Sequence, residues 1–121
     1  MQTIIPTRGS VIRAQQLETR KLQRSFTVDL EHGLHARPCA LLIKTLRPFS
    51  SEVLVEANGE QVSGHSIMGL MMLAAGLGCR ITFTITGPDA LQAMAAVEHL
   101  FATRFAEAYG LSRGTRRATT L

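Results

Sequence analysis

Three segments of the chain alternate between apolar and polar residues, which is the pattern of a half-buried β-strand. Their apolar positions are Phe26, Val28 and Leu30 in the first, Val53 and Val55 up to Ala57 in the second, and Ile81, Phe83 and Ile85 in the last. Asn58-Gly59 is a two-residue hairpin signal directly after the second segment. A further short strand is therefore predicted near Gln61-Val62-Ser63.

A helical pattern follows the first strand. Its apolar residues lie at i, i+3, i+4 and i+7, and they are Cys39, Leu42, Ile43 and Leu46. Proline is tolerated in the first turn of a helix, so Pro38 places the start near Ala36. The residue before a proline avoids helical angles, so Pro48 should end the helix near Arg47.

Two more helices complete the predicted order. The second helix is predicted from Ser66 to a point before Gly76 or Gly78. The third follows Gly87-Pro88-Asp89, and its inward stripe is predicted to contain Leu91, Met94, Val97 and Phe101. The order βαββαβα indicates an α+β fold, in which an antiparallel sheet is covered by helices on one face.

Composition and charge bound the class of protein. A chain of 121 residues with 45% hydrophobic content suits one small core. The net charge of +4 lies in the tails, because residues 1–24 carry +4 and 112–121 carry +3, whereas 25–111 carry −3. We therefore expect a domain at 25–110 without a nucleic-acid surface, between a flexible basic extension at 1–24 and a flexible basic tail at 111–121.

Cysteine spacing and hydropathy indicate a cytoplasmic protein. Cys39 and Cys79 have no spacing typical of a metal or redox motif, and both are expected to be reduced apolar residues. The apolar residues near the amino terminus are too few for a signal peptide, and no run is long enough to insert in a membrane. No metal or cofactor is predicted.

The stretch Gly33-Leu34-His35-Ala36-Arg37-Pro38 carries the candidate chemistry. It places His35 at a helix amino end, where backbone N–H groups and the helix dipole bind anions, and Arg37 can donate paired hydrogen bonds to phosphate. A neutral imidazole attacks phosphorus, and these positive groups disfavour the imidazolium. On spacing alone, however, a helix-capping or surface histidine is the better interpretation of His35.

Further motifs give that stretch a specific context. Ser66-Ile67-Met68-Gly69 begins thirty-one residues after His35, and Ala96-Val97-Glu98-His99-Leu100 follows in the last helix. Over about Ser25 to Ala108, the chain resembles the HPr family, the histidine-containing phosphocarriers of the bacterial phosphotransferase system. The resemblance implies an open-faced sandwich with a four-stranded sheet and three helices.

The same resemblance implies a reaction and its partners. His35 would accept a phosphoryl group on its pros nitrogen from phospho-Enzyme I, with phosphoenolpyruvate as the ultimate donor, and would pass it to a IIA-type domain. Arg37 would stabilise the phosphate. Since no nucleotide-binding loop is visible, the chain is predicted to be a carrier and not an independent catalyst.

The resemblance also implies a partner surface beside the histidine. Its predicted residues are Ala36, Ala40, Lys44, Arg47, Ile67, Met68 and Met71. Methionine suits surfaces that must fit several partners, so Met68 and Met71 are assigned to this surface and Leu70 or Leu73 to the core. The remaining histidines, His32, His65 and His99, are expected to lie at the surface without a chemical role.

Ser66 has two interpretations. It is a strong candidate for the N-cap of the second helix. In family members from organisms with an HPr kinase/phosphorylase, the matching serine is also phosphorylated. His65 stands here where the family usually has a lysine or another long polar residue, so recognition by such a kinase is left open.

Three alternatives concern the pathway and the class of function. The motif does not separate the sugar-transport branch from the nitrogen-related branch. A regulatory module would act through phosphorylated Ser66 and dock on a transcription regulator, but relatives specialised in that way lack the active histidine. An RNA-binding α+β domain is the weakest alternative, because exposed aromatic residues are few and 25–111 is acidic.

Overall fold

The computed structural model describes residues 20–110 and confirms the α+β prediction and the order βαββαβα. The elements are β1 Lys21–Thr27, α1 Ala36–Leu46, β2 Glu52–Ala57, β3 Glu60–Ser63, α2 Ile67–Met72, β4 Arg80–Thr86, α3 Ala90–Ala102 and a 3₁₀ helix Ala106–Tyr109. The extension and tail predicted to be flexible lie outside the described residues, except for residues 20–24. No helix within 20–110 is long and apolar enough to cross a membrane.

The sheet is antiparallel throughout, and its strand order is β1-β4-β2-β3. The predicted alternation in β4 is confirmed, because Ile81, Phe83 and Ile85 are buried while the threonines between them are half-buried. The predicted hairpin also forms. Asn58 and Gly59 both have positive φ, as a tight turn between β2 and β3 requires.

The first strand begins earlier than predicted. It starts at Lys21, and its seven residues pair with β4, so the predicted boundary at residue 25 falls inside a strand. The side chain of Arg24 interrupted the apolar pattern, because it stands on the helix-facing side of β1 and pairs with Glu98 of α3. Val28 and Leu30 are buried as predicted, but they follow the strand.

The helices cover one face of the sheet. The predicted first helix is confirmed, with Cys39, Leu42 and Leu46 fully buried. The second helix is shorter than predicted and ends at Met72, because the backbone turns to a left-handed conformation at Ala74.

The predicted inward stripe of α3 is partly wrong. Met94 and Val97 are buried, but Leu91 is 55% exposed. The small side chains of Ala90 and Ala93 occupy the buried face near the start of the helix, and Leu100 extends that face at its end. Leu91 consequently points away from the core.

A final turn after α3 was not predicted. Arg104 and Phe105 both have left-handed backbone angles, and the Phe105 N–H donates to the carbonyl of Leu100 at 2.8 Å. The ring of Phe105 is fully buried and packs edge-on against Phe101. This reversal directs the 3₁₀ helix, which ends at Tyr109, back towards α1.

Candidate functional site

The loop before α1 is shaped by close backbone contact with the segment that follows α2. Gly33 has a φ of +71°, and a Cβ there would lie 2.7 Å from the carbonyl oxygen of Ala75. The N–H of Leu34 donates to that same carbonyl at 2.9 Å. A side chain at residue 33 would therefore push the loop away, and glycine lets the loop hold the next residue at the helix end.

His35 is the N-cap residue of α1, as the sequence predicted. Its backbone is extended, its carbonyl accepts from the Cys39 N–H at 3.0 Å, and its side chain makes no capping hydrogen bond. The imidazole is half-buried, and Nε2 lies 2.9 Å from the hydroxyl oxygen of Tyr109. The His32 ring stands edge-on to it, with the ring centroids 6.1 Å apart. The ring is thus held at one nitrogen, which leaves Nδ1 for other chemistry.

The amino end of α1 offers groups that can bind an anion. The first N–H groups of an α-helix have no intrahelical acceptor, and the aligned peptide dipoles place partial positive charge at this end. Arg37 lies in the first turn and is exposed. Among residues 20–110, no carboxylate forms an ion pair with Arg37, so its guanidinium is available to a ligand.

Cys39, the thiol nearest to His35 in the sequence, is a poor nucleophile. Cys39 is fully buried, and its Sγ donates to the carbonyl of Leu34. Burial raises the pKa of the Cys39 thiol to about 11. Because the thiolate is the nucleophilic form, Cys39 is inert near neutral pH, which leaves the imidazole as the candidate nucleophile. Both cysteines are free thiols, as expected, although Cys79 is only partly buried.

A cavity of about 310 Å³ joins His35 to the end of α2. Met71 lines this cavity together with His32, His35 and the turn at Ala74. Leu70 and Leu73 are buried, as predicted, whereas Met68 is 71% and Met71 45% exposed, so a docking role for the two methionines stays a prediction. The structure therefore brings Met71 to the histidine and leaves Met68 open to solvent.

The other predicted surface residues are also exposed. On α1 they are Ala36, Ala40 and Lys44, Arg47 follows directly after that helix, and on α2 they include Ile67. The predicted surface histidines His32, His65 and His99 are exposed as well. Exposure permits docking at these positions.

Ser66 is the N-cap of α2, which confirms the capping interpretation. Its Oγ accepts a hydrogen bond from the Gly69 N–H at 3.0 Å. The residue is half-buried, and its hydroxyl is engaged in the cap.

Tyr109 is the residue near the histidine that sequence reasoning missed. It is separated from His35 by 74 positions, and its approach depends on the left-handed turn at Arg104 and Phe105. Neither arginine nor phenylalanine is typical of a left-handed turn, so the sequence holds no clear signal for this contact. Within residues 20–110, no group of three or more histidine, cysteine or acidic side chains could hold a metal ion.

Known proteins resemble this chain over most of residues 20–110. The family model described as the PTS HPr component phosphorylation site matches residues 22–103. The phosphocarrier protein HPr of Cupriavidus necator is 48% identical over 86 residues, which cover 71% of this chain and 97% of that protein. The phosphocarrier protein HPr of Treponema pallidum is 39% identical over 75 residues, covering 62% of this chain and 85% of that one.

A solved structure agrees at the level of the fold. The crystal structure of HPr-C-His from Thermoanaerobacter tengcongensis aligns with a TM-score of 0.67 at 33% identity. The alignment covers 70% of this chain and 96% of that chain. The family match begins within β1, as the observed start of the sheet would require.

Proposed function

Because the chain belongs to the HPr family of the phosphotransferase system, we propose that it is a phosphocarrier that accepts a phosphoryl group on His35 and passes it to another protein. The observation that carries the proposal is the placement of a half-buried imidazole at the amino end of α1, with one ring nitrogen hydrogen-bonded. A nucleophile and an anion-binding helix end then meet at one point.

The proposed chemistry needs positioning and charge stabilisation more than acid–base machinery. In phosphoryl transfer, charge spreads over the oxygens of the transferred group, and groups aimed at those oxygens lower the barrier. Here the first-turn N–H groups of α1 and the guanidinium of Arg37 are the candidates. They would also stabilise the phosphohistidine once it has formed.

The proposed donor is phospho-Enzyme I, which is charged from phosphoenolpyruvate, and the proposed acceptor is a histidine of a IIA-type domain. The docking surface would surround His35 and consist of the exposed residues Ala36, Ala40, Lys44, Arg47, Ile67, Met68 and Met71. Flexible methionine side chains can repack against different partners, which suits a carrier that must dock on two of them. The pathway served is sugar uptake or nitrogen-related regulation.

Reconstitution tests this function. The purified protein is incubated with Enzyme I and phosphoenolpyruvate, and its intact mass is measured before and after mild acid. We expect one added phosphate that acid removes, as for phosphohistidine, whereas phosphoserine would survive the acid.

Two histidine variants locate the phosphate. His35→Ala should accept none, while His32→Ala, which removes an exposed histidine of the same loop, should be phosphorylated normally. Circular dichroism should show both variants folded. Acid-labile phosphate on a folded His35→Ala protein would refute the assignment.

A second role is proposed for Ser66. This half-buried residue lies at the start of α2, next to the exposed side chains of Ile67 and Met68. A phosphate added there by an HPr kinase/phosphorylase would place charge on the docking surface and could recruit a transcription regulator. Incubation with such a kinase and ATP tests this role, since acid-stable phosphate is expected on the wild type and none on Ser66→Ala.

A further inference from the structure

Tyr109 makes the one side-chain hydrogen bond that His35 forms within residues 20–110. Its hydroxyl oxygen lies 2.9 Å from His35 Nε2, and the two ring centroids are 6.2 Å apart. The hydroxyl can donate or accept, whereas a neutral imidazole has one nitrogen of each kind. The direction of this hydrogen bond therefore decides which ring nitrogen keeps a lone pair.

The contact is built into the fold at several points. Phe105 anchors one end of the 3₁₀ helix in the core, and Ala108 packs partly against the same core. Arg104 adds a hydrogen bond from Nε to the carbonyl oxygen of Asp29 at 3.3 Å, in the loop that leads to the histidine. The residue after Tyr109, Gly110, has left-handed angles, and its N–H donates to the carbonyl of Glu107. Tyr109 is thus held on both sides.

We propose that Tyr109 is a positioning residue for His35: its hydroxyl oxygen accepts a hydrogen bond from Nε2–H and thereby presents the lone pair of Nδ1 to the phosphoryl donor. This inference rests on the proposed function and names the group that orients its nucleophile. The opposite direction, in which the tyrosine donates to Nε2, would leave the proton on Nδ1 and block attack from that atom.

The transfer step follows from this arrangement. The Nδ1 lone pair forms the new N–P bond, while the bond from phosphorus to the donor breaks and leaves its electron pair on the donor. Nε2 keeps its proton, so the ring gains positive charge as the bond forms. The tyrosine oxygen faces that N–H and stabilises the charge, more strongly in the transition state than in the neutral ring.

The test compares Tyr109→Phe, which removes only the hydroxyl, with Thr103→Val as a control. The Thr103 hydroxyl lies in the segment before the 3₁₀ helix and donates to the carbonyl of His99, without a hydrogen bond to His35. The first measurement is made on unphosphorylated protein by ¹⁵N-edited NMR of the His35 ring. We expect Nε2–H exchange with water to be about three- to tenfold faster in Tyr109→Phe, as for the loss of one neutral hydrogen bond.

The second measurement is single-turnover transfer from phospho-Enzyme I over a range of donor concentrations. In Tyr109→Phe, the rate at saturating donor should fall about three- to tenfold, while the half-saturating concentration stays the same. The phosphate of the wild type should lie on Nδ1, as read by NMR. Thr103→Val should match the wild type in Nε2–H exchange, in the transfer kinetics and in the nitrogen that carries the phosphate.

Several results would overturn the positioning role. If Nε2–H exchange and phosphoryl transfer in Tyr109→Phe proceed at the wild-type rates, the contact is incidental. Faster transfer in Tyr109→Phe would show that Tyr109 covers the site and hinders the donor. A change only in the half-saturating donor concentration would show that Tyr109 is a docking contact. Phosphate on Nε2 would reverse the assigned nitrogen while leaving the carrier function intact. A wild-type protein that accepts no phosphate would refute the proposed function, and the positioning role with it.

Discussion

At the scale of single residues, the site consists of a proposed nucleophile, a helix end and few other charged groups. His35 is half-buried and Arg37 is exposed on the first turn of α1. The only thiol within this part of α1 is Cys39, whose raised pKa keeps it protonated. The chemistry assigned to this end of the helix therefore depends on the imidazole and on groups that stabilise phosphate.

Arg37→Ala tests the stabilising role of the guanidinium. We expect the rate of transfer to His35 to fall about ten- to hundredfold, because one charge-bearing donor is removed from the transferring phosphoryl group. The site of phosphorylation should not change. Arg80→Ala, which removes another exposed arginine at the start of β4, serves as the control and should transfer normally. Equal rates for the two variants would show that Arg37 is an ordinary surface residue.

Ser66→Asp tests whether charge at the start of α2 weakens docking. Aspartate also caps helices, so the melting temperature should stay level or rise. A charge beside Ile67 and Met68 should slow transfer from phospho-Enzyme I about ten- to hundredfold, which corresponds to roughly 1–3 kcal/mol.

The matched control for that variant is Ser66→Asn, which caps equally well without charge. Its transfer rate should equal that of the wild type. If asparagine slows transfer as much as aspartate, the effect lies in the geometry of the cap and not in the charge. Slow transfer together with partial unfolding of Ser66→Asp would also refute the electrostatic explanation.

At the scale of elements, the start of α3 is tied to the loop between α1 and β2. The Asp89 carboxylate accepts hydrogen bonds from the backbone N–H groups of Ser50 and Ser51 and from the Ser51 hydroxyl. Ser51 is a buried polar residue, and this carboxylate satisfies its hydroxyl. The tie fixes the end of α1 relative to α3, and so helps to hold the helix that carries His35.

Asp89→Asn should expose the contribution of this tie. Hydrogen bonds from the Ser51 hydroxyl and the Ser50 N–H hold the pKa of the Asp89 carboxyl below its usual range. A lowered folded-state pKa means that the carboxylate stabilises the fold above its unfolded pKa, and that this stabilisation is lost as the pH falls through the folded value.

We therefore expect Asp89→Asn to lower the free energy of unfolding at pH 7 by about 1 kcal/mol, since the site is partly solvent-screened. The difference from the wild type should shrink as the pH falls. Urea unfolding at several pH values measures it, with Glu60→Gln, an exposed carboxylate in the hairpin, as the control. A difference that is constant with pH would show that ionisation of Asp89 is not its cause.

How far the elements can be predicted depends on whether their signals are local. The alternation in β4, the turn at Asn58 and the cap at Ser66 are read from adjacent residues, and the structure confirms them. The start of β1 was missed because Arg24 is stabilised by Glu98, a residue far along the chain. Leu91 was misplaced because alanines can fill a buried face where a helix packs closely. Long-range partners decided each of these cases.

The same distinction applies to the site. The helix start and the position of His35 follow from Pro38 and its neighbours, which are local signals. Tyr109 reaches the ring only because Phe105 inserts into the core and reverses the chain. That contact is a property of the folded molecule, and no single stretch of sequence contains it.

At the scale of the whole molecule, the sheet sets the limits of the domain. β1 pairs along its full length with β4, from Lys21 opposite Thr86 to Thr27 opposite Arg80. A domain boundary at residue 25 would divide this strand. We therefore propose a boundary before Lys21, which agrees with the family match from residue 22.

Two truncations test that boundary. Removal of residues 1–19 should leave the melting temperature near that of the full chain, because β1 and its pairing remain. Removal of residues 1–24 deletes four paired residues and the Arg24–Glu98 ion pair, and it should lower the melting temperature by several degrees, for a loss of about 1 kcal/mol or more. Equal melting temperatures for the two truncations would show that the first half of β1 contributes nothing to stability.

The central claim is that His35 carries a phosphoryl group between two proteins. The most direct measurement is fragmentation mass spectrometry under neutral conditions, made on wild-type protein charged by Enzyme I and phosphoenolpyruvate, before and after addition of a IIA-type domain. We predict a single phosphate on the peptide that contains His35, and its loss when the acceptor is added. Phosphate on any other residue, or phosphate that stays on His35 in the presence of every IIA-type domain tried, would contradict the carrier assignment.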